Sequence, residues 1–500
     1  MKRSKFSLSY YKLLSMRMGE LVPMGLTEVL PGDTVQQATS MLVRASPLLA
    51  PVMHPVHMRI HHWFVPHRLV WEDWEDFITG GPDGMDASVF PTITFGGGTG
   101  AAVGSLADYL GVTPLVNNLE VSALPFRGYA LIFNEWYRDQ DLQSELTVDL
   151  GSGPDTTTST ALQNVNWEKD YFTTSRPWEQ KGPQVSIPLT GNAPVTGIGV
   201  YGTNTSTNNQ AVRETDGSNP TYSGMLPTNS SNQIAVELAA QVAGGAGRPA
   251  VYADLSAVSG VTINALREAL ALQRFEEARA RYGSRYVEYL RYLGVKSSDA
   301  RLQIPEYLGG GKQTLQFSEV LQTAPVAANG VVGDLKGHGI GAMRSNRFRR
   351  FFEEHGYVFS FVSVKPKTMY VQGVHRTWNR RIKEDFFQKE LQHIGQQEVL
   401  NKELYAAHTT PDGTFGYQDR YDEYRRSESG VAGEFRTSTL NYWHLARTFS
   451  SDPALNSTFV SSVPTERVFA ASTNDTLYVM AMHSIQARRL LTKRGTSFTF

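Results

Sequence analysis

Cysteine is absent from this 500-residue chain, which removes disulfides, thiolate metal sites and cysteine nucleophiles together. No window approaches the ~18 consecutive apolar residues of a membrane-spanning helix. The opening MKRSKFSLSYYKLLSMRMGE has a basic cluster but no apolar stretch long enough for a signal peptide, so a soluble protein made in the cytoplasm is expected. Charge of one sign is lacking as well: 47 Lys and Arg face 48 Asp and Glu, with no strongly basic domain and no acidic tail. Catalytic signatures are missing. Neither HExxH nor GxSxG occurs, and YLGGGKQT (307–314) has Glu306 and Gln313 where a phosphate loop needs Gly and Ser or Thr. The glycine-rich FGGGTGAAVG (95–104) and KGHGIGAM (336–343) miss the dinucleotide-binding spacing.

What the chain does contain is 44 Gly, 24 Pro, 24 Phe, 22 Tyr and 8 Trp, a composition suited to a loop-rich β architecture with much aromatic contact surface. Five of the twelve histidines fall between His54 and His67, followed by Glu72, Asp73, Glu75 and Asp76. A metal site is the tempting reading, but the spacing opposes it. Pro55 and Pro66 bracket a run in which Val56, Met58, Ile60 and Phe64 alternate with His57, Arg59, His61 and Val65, the period of a half-buried strand. On a strand His57 and His61 stand about 13 Å apart at ~3.3 Å per residue, too far to share one zinc. Past Pro66, Trp71, Trp74, Phe77 and Ile78 recur at helical spacing, ended by Gly80, Gly81 and Pro82. The block therefore reads as strand, turn and short helix, and no catalytic or metal-binding residue and no cofactor is assigned.

Residues 20–65 predict strands broken by turns, with Pro31 and Gly32 making one turn. Further strands are expected at 356–364, 368–373 and 476–487, so one framework is assembled from distant segments around large insertions. Between 191 and 233 the chain is dense in Gly, Thr, Ser and Asn, the texture of a surface excursion. Residues 262–294 are helical in pattern, with Ile263, Leu266 and Leu270 on one face and a division at Gly283. RSNRFRRFFEEHG (344–356) admits two readings: Arg and Phe interleaved for single-stranded nucleic acid, or, preferred here, a helix with Arg349–Glu353 and Arg350–Glu354 pairs.

Several long blocks in order carry a family resemblance: HHWFVPHRLVWEDWEDFITGG, ALPFRGYALIFNEWYRDQDL (123–142), SRYVEYLRYLGVKSSDARLQIPEYLGGG (284–311), FGYQDRYDEYRRSESGVAGEFR (415–436) and WHLARTF (443–449). Together they resemble the major capsid proteins of gokushoviruses, small single-stranded DNA bacteriophages of the Microviridae. The resemblance runs from FSLS (6–9) to the last strand, with only about 190–255 unmatched. It implies a mainly β chain: a single eight-stranded antiparallel jelly roll with long helical and irregular insertion loops, self-assembling into a T=1 icosahedral shell around circular single-stranded DNA. Implied partners are an internal scaffolding protein, a DNA pilot protein, a small basic DNA-binding protein and a bacterial cell-surface receptor.

On this reading residues 1–190 and 256–500 supply the framework with its insertions, and 191–255 is the variable protrusion. Tyr201, Tyr222, Leu226 and Pro227 are its candidate receptor contacts; a passive spacer is the competing reading. Trp136, Tyr137, Trp178 and Trp443 are expected to be buried against neighbouring copies. DNA contact is expected from the chain ends, Lys2, Arg3 and Lys5 with Arg488, Arg489, Lys493 and Arg494, as mobile basic segments following the phosphates. Ordinary solvated termini or subunit contacts compete with it. A carbohydrate-binding or glycoside-active jelly roll is the alternative from another functional class.

Overall fold

Alternating burial along extended segments builds the framework of the computed structural model. It describes residues 3–183, 185, 195–196, 252–253, 263–282, 288, 291–294, 303–323 and 332–493. The first strands are β1 (Ser4–Ser7), β2 (Tyr10–Met16), β3 (Val22–Val29), β4 (Thr34–Ala45) and β5 (Val56–Pro66). Then come α1 (Trp74–Thr79), β6 (Thr92–Phe95), α2 (Leu106–Leu110), β7 (Leu119–Ser122) and α3 (Leu124–Ile132). Two-residue strands β8 (Val195–Thr196) and β9 (Tyr252–Ala253) precede α4 (Ile263–Tyr282). The chain returns through β10 (Glu306–Leu321), β11 (Leu335–Arg344), β12 (Phe348–Phe351) and β13 (Gly356–Pro366), and closes with β14 (Gln396–Leu400), β15 (Thr414–Asp419) and β16 (Leu477–Arg489).

One sheet runs β1 and β2 on β16, then β4, then β11 with β12 continuing beside β4; the other runs β3, β13, β5, β10. All pairings are antiparallel. β10 turns the corner between them, pairing with β5 up to Leu315 and with β11 from Gln316. Counting β1/β2 and β11/β12 as one position each, this is the expected eight-stranded jelly roll. Its interior holds Met24, Met41, Val43, Met58, Ile60, Val362, Leu477 and Val479, all buried and drawn from both sheets. Two long excursions leave it, residues 67–305 between β5 and β10 and residues 367–476 between β13 and β16.

The first excursion lays α3 over the outer face of the second sheet. Trp63, Val65, Phe359 and Phe361 point out of the sandwich into a second core with Leu124, Phe126, Tyr129 and Ile132. Arg127 of α3 is fully buried there; its Nε lies 2.8 Å from Asp155 Oδ2, and it donates to the carbonyls of Val70 and Gly151. The second excursion packs Tyr370, Val399, Leu404, Phe415 and Phe459 with Tyr171 and Phe172. By contacts the chain divides into two units, Met1–Lys181 with Glu277–Phe500, and Gly182–Glu276. Within the smaller one, β8 pairs with β9, so Val195 faces Ala253 and Thr196 faces Tyr252.

Most expected elements are present: the strand over 56–65, the helix after Trp71 ended by Gly80 in the left-handed region, the Pro31–Gly32 turn and the strands at 356–364 and 476–487. Two expectations fail. Thr368–Gly373 forms no strand; Tyr370 makes only isolated bridges to Gly430 and Arg447. The stretch 344–356 is not a helix either: β12 extends beside β4, Arg350 meets Glu306 at 2.8 Å and Glu354 meets Arg68 at 2.7 Å. The short strand Phe348–Phe351 was concealed by the helical spacing of the charges. α4 ends at Tyr282; Gly283 lies outside the described residues.

Candidate functional site

The outer face of the second sheet is covered by α3, whereas no element among the described residues covers that of the first sheet. Its outward positions follow from the register. Across the sheet, Lys5 stands opposite Arg488, Arg488 opposite Thr34 and Thr34 opposite Phe351. Two residues along, the row reads Ser7, Gln486, Gln36 and Arg349. Farther on come Tyr11, Met482, Ser40 and Arg344, then Ser15, Tyr478, Arg44 and Ile340. Lys336 and His338 extend the face toward the end of β11.

Lys5, Arg44, Lys336, Arg344, Arg349 and Arg488 are all exposed, and no Asp or Glu occupies an outward position on these strands. No ion pair among the described residues neutralises any of the six. Like charges directly opposite on neighbouring strands destabilise a sheet, so the Lys5–Arg488 pair is a cost to the isolated chain that a polyanion would relieve. Exposed aromatic rings interleave with these cations: Tyr11 is 68% exposed, Tyr478 48% and Phe351 45%. The Arg3 guanidinium sits 4.9 Å above the Phe351 ring. Positive charge for the backbone and flat rings for the bases are what sequence-tolerant binding of a single strand requires.

The structure thus joins the two chain ends, but as paired strands and not as mobile segments, a correction whose cause is the β1–β16 ladder. It also separates the candidates. Arg489 is committed to the framework: its Nε lies 2.9 Å from Oδ2 of Asp33, whose side chain is fully buried, and it donates to the Glu28 carbonyl. Arg3, Lys5 and Arg488 reach the open face or its edge; Lys493 lies just past β16. Lys2, Arg494 and the loop residues Tyr201, Tyr222, Leu226 and Pro227 lie outside the described residues. Arg44 and Lys336 escaped the sequence reading, although Arg44 sits at an outward position of an alternating strand. Of the four interface aromatics, Tyr137 is partly buried within its own chain, against Trp63, His61 and Phe361. Trp136 and Trp178 remain 40% and 37% exposed.

Three of the clustered histidines, His57, His61 and His62, lie in β5. His61 Nδ1 lies 2.6 Å from the Tyr137 hydroxyl, His62 bonds Ser360 and Ser345 inside the sandwich, and His54 bonds the Lys367 carbonyl. Among the described residues no three His, Asp or Glu are grouped to hold a metal. A polar cleft over the second sheet contains carboxylates, but two are held firmly ionised. Lys367 and Lys312 hold Glu168 down at about 2 against the effect of its burial, and Lys169 and Arg176 likewise keep Asp139 below the usual range. A glycosidase acid needs the opposite, a carboxyl kept protonated.

Comparison with known proteins adds an independent finding. The family described as Capsid protein (F protein) matches residues 1–498. The chain is 38% identical to Capsid protein VP1 of Bdellovibrio phage phiMH2K, over 95% of this chain and 90% of the relative. It is 34% identical to Capsid protein VP1 of Chlamydia phage 1, covering 94% and 91% of the two chains. Capsid protein VP1 of Spiroplasma virus 4 is 32% identical, with 91% and 87% covered.

Proposed function

The chain belongs to the phage capsid protein (F protein) family, and from that premise we propose that its copies close into a T=1 shell around circular single-stranded DNA, with the open face of the first sheet turned toward the nucleic acid. It is a major capsid protein of the Microviridae type, a structural component of the virion. The gokushovirus subgroup is the finer placement favoured here, with assembly in the host cytoplasm. The observation that carries the DNA reading is the sheet face itself, six exposed cations and three exposed rings without one outward carboxylate. Net charge near zero does not oppose it, because the acids occupy other surfaces and a small basic partner protein shares the neutralisation. An internal scaffolding protein and a DNA pilot protein complete the inner partners.

Residues 191–255 are proposed as the surface loop that carries host attachment, with Tyr201, Tyr222, Leu226 and Pro227 presenting rings and apolar surface to a bacterial receptor. What supports this is their low charge and lack of periodicity, together with the paired strands β8 and β9 near its two ends.

The experiment replaces Lys5, Arg349 and Arg488 with Gln and images purified particles by electron microscopy while their DNA is quantified. Shells of normal size with less DNA, or DNA released at lower salt, are expected. Particles of full DNA content and unchanged salt resistance would place the contacts elsewhere. If no uniform shells form from the unaltered chain, the assembly reading itself fails.

A further inference from the structure

The cleft over the second sheet has a volume of about 670 Å³, within the range of sites for small organic molecules. Its floor is Arg59 and His61 of β5 with Ser363 and Lys365 of β13; residues 135–141 and 165–169 form its walls. Five acids line it, Glu135, Asp139, Asp141, Glu168 and Glu288, against Arg59, Arg138, Lys169, Arg176, Arg281 and Lys365. Asp139 is engaged by Lys169 and Arg176, Asp141 by Arg176 and Lys181, and Glu168 by Arg59 and by Lys312 and Lys367 from outside the lining.

Lys365 stands apart. Its Nζ donates to the Asn166 carbonyl at 2.6 Å, and no carboxylate among the described residues lies within ion-pair distance of it. Burial together with the nearby Arg59 lowers its pKa to about 8 against the opposing effect of Glu168, in a cluster that also contains Lys312 and Lys169. The buried Nε of Arg59 and the buried Nε of Arg138 meet no acceptor of the described chain. The Tyr137 hydroxyl accepts from Trp63 Nε1 at 3.2 Å and lies 2.6 Å from His61 Nδ1. The cleft thus offers donors and positive charge in excess of its acceptors, and a buried N–H without an acceptor is costly.

We propose that this cleft is a binding site for a small molecule bearing one anionic group, a phosphate or carboxylate, seated on Lys365 and the Arg59 guanidinium. Charge-assisted hydrogen bonds from these donors hold the anion, and the volume leaves room for the body that carries it. The site lies on the opposite sheet from the cation face and is independent of it.

Isothermal titration of the full-length chain, in buffer free of phosphate, uses glycerol 3-phosphate, inorganic phosphate and glycerol as probes. Saturable binding of glycerol 3-phosphate at one site per chain is expected, with glycerol silent. Tighter binding of glycerol 3-phosphate than of phosphate assigns the site to an organic anion; equal binding assigns it to the free ion. Lys365→Gln weakens either by about tenfold or more, Lys365→Arg retains most of it, and the triple Gln variant of the sheet face leaves it unchanged. On the unaltered chain, the same ligand slows acylation of the Lys365 amine, a readout that does not depend on any variant folding. Absence of saturable binding overturns the proposal, as does binding that survives Lys365→Gln or disappears only with the sheet-face variant.

Discussion

His62 and His483 show how single residues set the acid tolerance of the sandwich. His62 Nε2 lies 3.0 Å from Ser345 Oγ and its Nδ1 2.9 Å from Ser360 Oγ, hydroxyls that also accept from the Thr39 amide and the Gln37 side chain, so both ring nitrogens are hydrogen-bonded. His483 Nε2 donates to the Met24 carbonyl while Thr39 Oγ1 meets its Nδ1 at 2.9 Å. Each ring is fully bonded when neutral, and a second ring proton would force a neighbouring hydroxyl to turn from donor to acceptor. Burial lowers the pKa of His62 to about 3 and that of His54, His61, His67 and His483 to about 4. Below the ordinary value near 6.5 the unfolded chain binds protons that the folded chain refuses. Stability is therefore complete above about pH 6.5 and falls toward pH 4, by up to ~1.4 kcal/mol per pH unit for each such histidine. Glu20, Glu403 and Glu428, raised by burial, act in the opposite direction from just above the carboxylate range downward. Denaturant midpoints measured from pH 7 to pH 4.5 should drop, and His483→Gln should flatten the drop; a flat wild-type profile excludes the mechanism. Glycines act through space instead. Gly337, Gly339 and Gly341 share the inward face of β11 with Met343, and a Cβ on Gly341 would lie 2.4 Å from Met58 Cε. Gly341→Val should cost about 1–3 kcal/mol through overpacking, read as a lowered denaturation midpoint. The sequence showed these glycines at alternate positions but not the side chains opposite, so KGHGIGAM could be excluded as a nucleotide loop without revealing its packing role.

At the scale of elements, what was legible depended on period. β16 and the first half of β5 alternate, β13 is an apolar run buried on both faces, and the bounds of all three are within two residues of those expected. The error at 344–356 arose because Arg and Glu four apart satisfy a helix pattern while Phe348 and Phe351 also suit a short strand; pairing with β4 decided it. The cation face could not be read locally, since Lys5 and Arg488 are almost the whole chain apart and meet only through the β1–β16 register. That face gives a quantitative expectation. If all six cations engage phosphates, the slope of log K against log salt for a single strand is about −0.7 per contact, or roughly −4 in all. Oligonucleotide binding to unassembled chain across a salt series measures it. Removing Lys5, Arg349 and Arg488 should reduce the slope by about half at unchanged fold. Arg489→Gln should act differently, leaving the slope nearly intact while lowering the denaturation midpoint, because it strips the buried Asp33 of its cation. Equal slopes for wild type and triple variant would mean that the face does not meet the strand.

For the whole molecule, the resemblance carried more than the residues alone, because a jelly roll interrupted by excursions of 67–305 and 367–476 has too few local contacts to be assembled from pattern. The strands pair across those excursions, so the framework depends on the ends of each insertion meeting and much less on what lies between. For the segment 191–255 the structure supplies such a meeting point in β8 and β9, where Val195 and Thr196 face Ala253 and Tyr252. A loop whose ends are already joined can be shortened at small entropic change, since closure cost varies only by ~0.6 kcal/mol per doubling of length. Replacing residues 198–250 by a short Gly–Ser linker should therefore leave the melting temperature of the framework within a few degrees of wild type. On the proposed function, the shortened chain should still form shells and package DNA, while particles lose adsorption to the host. Lost assembly with retained adsorption would reverse the roles assigned to loop and framework. Retention of both would make the excursion a passive spacer, and the receptor contact would then have to be sought on the second sheet's side of the shell, where the anion cleft opens.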